Sequence, residues 1–292
     1  MGDGLDWHDG YVWSADGVRL HHRDQPGPKD RPALLCIPGL TRNVRDFASL
    51  AARMKGRHRV ISVDLRGRGE SGYARDPLSY TPLTYVSDLA RVLAELRPGS
   101  VVPVGTSLGG LVTMLMAGAG VVEMAGAILN DVGPELDPTG LERIRGYVGR
   151  GGSYPTWLHA ARALADNQRE VHPTFALGDW IDAAKRVMRL EPSGRVAFDY
   201  DMRIAEPFRL PGGEAGVDLW PALDRLAPIP VLILRGERSD LLSAEVQARM
   251  AARLPYATAV TVPGVGHAPT LDEPVAVAAI DRFLDQIGPE PR

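Results

Sequence analysis

The amino-acid sequence predicts an α/β fold: a mostly parallel central sheet with helices on both faces, an antiparallel N-terminal hairpin at one edge, and an inserted, mostly helical cap. Three observations predict it. Apolar runs without polar alternation, such as "ALLCI", "VISV" and "VLILRG", read as strands covered on both faces. Segments with apolar residues at helical spacing alternate with them, which implies crossover connections and a parallel sheet. From Pro134 to roughly Pro228 that rhythm stops, and so long an interruption in a compact domain implies a substructure of its own. The organisation that follows is a core from residues 1–133 and 229–292, with the cap over 134–228. A chain of 292 residues is long enough for both.

Taken in order, "YVWSADG" and "VRLHHRDQ" flank a turn at Asp16-Gly17 and form the hairpin. The strand "ALLCIPG" precedes a helix marked by Phe47, Leu50, Ala51 and Met54. "HRVISVDLRG" is the next strand, and Val86, Leu89, Ala90, Leu93 and Leu96 repeat with the period of a helix. "SVVPVGTS" runs directly into a helix through Leu108, Leu111, Val112, Leu115 and Met116, and "AGAILNDVG" closes this half. After the cap, "PVLILRGERSD" is a strand followed by a helix that Ser243 can cap. "ATAVTVPGVGH" is the last strand. The final helix enters at Pro274 with Val277, Ile280, Phe283, Leu284 and Ile287 on one face. In the cap, Trp157, Trp180 and Trp220 can line a pocket or fill the cap core, and large aromatic residues more often do the latter.

Composition removes several functions. The chain is 45% hydrophobic and 24% charged with a net charge of −3, and its charges are interspersed, so no nucleic-acid groove is expected. The start "MGDGLDWHDG" lacks the basic and apolar regions of a signal peptide. The longest apolar region, Leu108 to Leu129, is broken by Gly118, Gly120 and Glu123 and reads as helix plus strand, with no membrane contact. A cytoplasmic protein is the expectation. The single cysteine, Cys36, lies inside an apolar strand and reads as a small buried hydrophobe. Oligomeric state leaves no pattern in the sequence.

Chemistry concentrates at Gly105-Thr106-Ser107-Leu108-Gly109. This Gly-x-Ser-x-Gly closes a buried strand and opens a helix, the setting in which a serine is held on a strained turn as a nucleophile. A serine hydroxyl needs a base. Of seven histidines, His8, His21, His22 and His58 are expected to be solvated, and His159 and His172 fall in the cap. His267 follows the last strand on a glycine-rich loop, at the sheet edge where loops after parallel strands gather. The base needs an acid to orient it. Asp240, on the loop after "VLILRG", satisfies the order serine, acid, histidine; Asp131 at the end of "ILNDV" is the main rival, and Glu237 a further one. The oxyanion donors are expected to be the Leu108 N–H, directly after the serine, and the Leu40 N–H after Pro38-Gly39. Gly67-Arg68-Gly69-Glu70-Ser71-Gly72 matches a dinucleotide fingerprint, but Pro77 and Pro82 follow where a helix would have to open, so it reads as a turn. No cofactor and no metal are implied.

These stretches resemble the α/β-hydrolase superfamily. "DLRGRGESG" is similar to the stretch after its fourth strand, "GTSLGG" to its nucleophile elbow, "RGERSD" to its acid loop and "VPGVGHAP" to its histidine loop, in the same order over roughly residues 10 to 288. The resemblance implies an α/β-hydrolase fold and a serine esterase or lactonase acting on a small molecule through an acyl-enzyme. Two departures are specific to this chain. Pro38-Gly39 stands where His-Gly is usual, and Asp240 lies four residues beyond Gly236 where three are commoner. A serine nucleophile argues against the dehalogenase and epoxide hydrolase branches. Hydrolysis of a carbon–carbon bond in a dienoate, with the same triad, and ligand reception without catalysis remain the alternatives.

Overall fold

The computed structural model describes residues 7–209 and 218–288. In it the alternating pattern becomes an eight-stranded sheet. The strands of the first half are β1 (His8–Trp13), β2 (Arg19–Gln25), β3 (Ala33–Ile37), β4 (Val60–Val63), β5 (Val101–Thr106) and β6 (Ala127–Asn130). Three short strands lie in the insertion: β7 (Ser153–Tyr154), β8 (Met188–Leu190) and β9 (Val196–Phe198). β10 (Val231–Gly236) and β11 (Ala257–Val262) complete the main sheet, whose order is β1-β2-β4-β3-β5-β6-β10-β11. The β1–β2 and β2–β4 pairs are antiparallel and the rest parallel, so the hairpin forms one edge.

The helices that cover the sheet are α1 (Ala48–Met54), α2 (Pro82–Leu96) and α3 (Leu108–Ala119). The insertion adds α4 (Pro138–Tyr147), α5 (Trp157–Gln168), α6 (Leu177–Val187), α7 (Glu206–Arg209) and α8 (Trp220–Asp224). After it come α9 (Ala244–Arg253) and α10 (Pro274–Ile287). Residues alternate across each strand, so one face of β3 gives Leu34 and Cys36 to a core with Leu50 of α1 and Phe283 of α10. The other face gives Leu35 and Ile37 to a core with Leu89 of α2 and Val112 of α3. Cys36 is fully buried, and burial pushes its thiol up to about 12, which leaves it inert as a nucleophile. Pro82 does not break a helix. It opens α2 at the first position, where no N–H is needed, behind a Thr81 cap.

Between β6 and β10 the chain builds its own apolar cluster, in which Trp180 packs with Ala160, Ala161, Leu164 and Ala184. The insertion is not all helix: β7, β9 and β8 form an antiparallel sheet. Strands of two and three residues are too short to imprint a period on the sequence. The insertion is tied to the core by backbone bonds. Gly69 N–H donates to the Asp199 carbonyl at 3.0 Å, and Gly266 N–H, next to His267, donates to Val171 at 2.8 Å.

The segment from Asp64 to Gly72 is a compact turn. The Asp64 carboxylate accepts from Val44 N–H, Glu70 N–H and His21, and no helix opens before Pro77. His21 therefore corrects the expectation of a solvated residue: its ring is 1% exposed and lies between Asp64 and Asp9, at 2.7 and 2.9 Å. Because carboxylates only accept, both ring nitrogens donate, and the pair of acids raises its pKa against the opposing effect of burial. His22 and His58 are buried too.

Candidate active site

Ser107 sits between β5 and α3 with φ 53° and ψ −118°, a left-handed conformation for a non-glycine residue. Its N–H is held by the Asn130 carbonyl at 2.9 Å. The neighbouring glycines explain how α3 can start so close to the sheet. A Cβ at Gly109 would lie 2.0 Å from the Ile37 carbonyl oxygen, and one at Gly105 would lie 2.5 Å from Gly109. The turn therefore presents the serine side chain outward while the helix backbone packs directly on β3.

His267 meets that side chain. Its Nε2 is 2.8 Å from Ser107 Oγ, and its Nδ1 is 2.7 Å from Asp131 Oδ2. The carboxylate can only accept, so Nδ1 carries the hydrogen and Nε2 is left to accept from the serine hydroxyl. Asp131 is fully buried, directly after β6, with φ 59°. Its Oδ1 accepts from Gly236 N–H and its Oδ2 from Ser239 Oγ–H, both at 2.7 Å. The carboxylate is thus fixed by three donors and points one lone pair at the imidazole.

The favoured acid, Asp240, is placed elsewhere. Its two oxygens take a bidentate pair from Arg143 of α4 at 2.5 and 2.8 Å, and it makes no hydrogen bond to His267. Burial raises its pKa, but Arg143, and then the nearby His267, outweigh that and hold it below the ordinary carboxylate value. Ser239, one residue earlier, turns inward to Asp131, and Asp240 is directed at the insertion. Glu237, the third candidate, accepts from Gly264 N–H on an exposed turn.

Leu40 and Leu108 flank the serine. Leu108 opens α3, so its N–H has no acceptor within the helix, and its position favours negative charge nearby. The Leu40 carbonyl is turned away, accepting from Arg68 Nε at 2.8 Å. Arg68 is completely buried and meets no carboxylate among the described residues. It donates to the Arg66 carbonyl and to Tyr85 Oη, and stands over the rings of Tyr80 and Tyr85.

Ser107 and His267 line a cavity of about 120 Å³. Insertion residues on its wall include Ile144, Tyr147, His172 and Arg186, and Arg42 joins them from the loop after β3. The three tryptophans of the insertion are absent from that wall. Trp180 and Trp157 belong to the insertion's apolar cluster, and Trp220 bonds Glu135 beneath the guanidinium of Arg249. Sequence spacing offered no route to Arg42, His172 or Arg186, which meet only through folding. Among the described residues no cluster of histidine, cysteine and carboxylates could hold a metal, and no helix is long and apolar enough to cross a membrane.

Comparison with known proteins gives the family. The alpha/beta hydrolase family model matches residues 34–280. The chain belongs to that family. This hydrolase is 34% identical over 274 residues to the 3-hydroxybutyrate-oligomer hydrolase of Cupriavidus necator, covering 91% of this chain and 92% of that protein. It is 28% identical to the 2-(acetamidomethylene)succinate hydrolase of Mesorhizobium japonicum, over 87% and 88% of the two chains. The crystal structure of an alpha/beta hydrolase from Novosphingobium aromaticivorans superposes with a TM-score of 0.92 at 53% identity, over 97% of this chain and 99% of that one.

Proposed function

We propose that the protein is a serine hydrolase that cleaves a carboxylic ester through an acyl-enzyme. The observation that carries this reading is the unbroken line Asp131–His267–Ser107, with contacts of 2.7 and 2.8 Å. His267 takes the Ser107 proton as Oγ attacks the carbonyl carbon, and the imidazolium so formed is stabilised by Asp131. The oxyanion is received by the Leu108 and Leu40 N–H groups. His267 then returns the proton to the leaving alcohol, and water, deprotonated by the same imidazole, releases the acid. Asp131 takes the orienting role first assigned to Asp240. The insertion covers the serine as a cap and shapes the substrate cavity.

The likeness to a hydrolase of 3-hydroxybutyrate oligomers supports a short linear oligoester of a hydroxyalkanoic acid as substrate class. The test is labelling by a fluorophosphonate probe together with hydrolysis of an aryl ester. Both are expected in the native protein and absent in Ser107→Ala, with kcat reduced by about 10⁴ or more. Hydrolysis that persists in the variant would reject the reading.

A further inference from the structure

The cavity wall carries cations whose hydrogen-bonding capacity is unused. Arg42 gives Nε and Nη2 to Asp46 at 2.6 and 2.7 Å, and its Nη1 has no acceptor among the described residues. Arg186, at the end of α6, has a guanidinium that makes no hydrogen bond among the described residues. Its nearest carboxylate is Asp272, 3.9 Å away and already held by Arg53 at 2.8 Å. Among the described residues Asp46 is the single carboxylate on the cavity wall, and Arg42 occupies it. Among the described residues the wall therefore carries one more cation than carboxylate, and the Arg186 charge is met only by the shared Asp272 at 3.9 Å.

His172 adds a second, independent observation. It is 8% exposed, and its ring stacks on Phe175 with centroids 4.5 Å apart. Its Nδ1 is buried without a partner, and neither ring nitrogen is hydrogen-bonded within the described residues. Burial first, then Arg42 and Arg186, push its pKa down to about 4, and no carboxylate opposes them. The imidazole is neutral at pH 7, so one of its nitrogens can donate. A buried donor, the free edge of Arg42 and a guanidinium on Arg186 without a hydrogen-bond acceptor are costly unless a ligand supplies the acceptor.

We infer that Arg186, the free edge of Arg42 and His172 form a carboxylate subsite, and that the substrate is an ester carrying a free carboxylate, as a linear hydroxyalkanoate oligoester does at one end. This rests on the ester-hydrolase reading of Ser107. The planar guanidinium of Arg186 suits a carboxylate better than a lysine would, because two parallel N–H groups meet two oxygens.

The dimer of 3-hydroxybutyrate, as the free acid and as its methyl ester, presents the same internal ester with and without the charge. The native protein favours the free acid in kcat/KM by about tenfold to a hundredfold. Arg186→Met reduces that preference at least tenfold, chiefly through KM, and Arg186→Lys restores part of it. Independently of turnover, 3-hydroxybutyrate binds the Ser107→Ala protein in calorimetry and not the Ser107→Ala, Arg186→Met protein. Equal use of acid and methyl ester by the native protein, or binding that survives in the double variant, overturns the subsite. A protein that takes the fluorophosphonate label yet binds no 3-hydroxybutyrate loses the subsite and keeps the nucleophile. One that binds it without labelling does the reverse.

Discussion

Two aspartates competed for one histidine, and burial separates them. Asp131 is fully buried with two donors, Gly236 N–H and Ser239 Oγ–H, besides His267 at 2.7 Å, whereas Asp240 is partly exposed and neutralised by Arg143. Replacing Asp131 by Asn is expected to lower kcat for an aryl ester by roughly 10³–10⁴, because the amide would favour the wrong imidazole tautomer. The Asp240→Asn variant is expected to lose less than tenfold. An equal loss in both would return the orienting role to Asp240. Chain order left this choice open, since either aspartate falls between the serine and the histidine. The inward turn of Ser239, which accompanies the contact of Asp131 with His267, is a local backbone event with no periodic signature in the sequence.

The strand–turn–helix around the serine was the most legible element, because glycines at 105 and 109 bracket it and apolar spacing starts immediately after. The structure gives those glycines a steric meaning. At Gly109 an added methyl would meet the Ile37 carbonyl at 2.0 Å, and a backbone obstacle has no rotamer to escape into. Gly109→Ala is therefore expected to destabilise the fold by about 3 kcal/mol or more, read as a lower denaturant midpoint with an unchanged slope. Gly118, on the exposed end of the same helix, has nothing nearer than the Ala222 Cβ at 4.0 Å. Alanine there is expected to be neutral or to stabilise by up to about 1 kcal/mol through helix propensity. Similar losses at both positions would contradict the packing account. The insertion was less legible, since its short strands gain order from one another and from the core, not from their own pattern.

At the scale of the molecule, the sheet and its covering helices followed from apolar runs and their spacing, while the placement of charge did not. The histidines show this. His22, His58 and His172 are buried with pKa values depressed first by burial, so protonating them favours the unfolded chain, where the ordinary value is about 6.5. Their contribution to stability is present above that value and is lost as pH falls toward 4. Asp16, held low first by Arg66, acts further down, as do Asp201 and Asp240, in which arginine contacts overcome burial. Their contribution is present above about pH 4 and lost below it. His21 and Asp88 have raised values and oppose this trend. The expected Tm is flat near neutrality, declines from about pH 6 and drops steeply below 4. A Tm that rises on acidification from pH 7 to 5 would mean that His21 and Asp88 outweigh the rest.

The bond from Gly266 to the Val171 carbonyl, one residue from the imidazole that faces Ser107, has a mechanical corollary. It fastens the insertion to the loop that carries His267. Any displacement of Val171 is therefore felt one residue from the imidazole, alongside the other bonds that tie the insertion to the core, such as Gly69 to Asp199. The position of the segment around Val171 and the aim of His267 are thus coupled through a single peptide group.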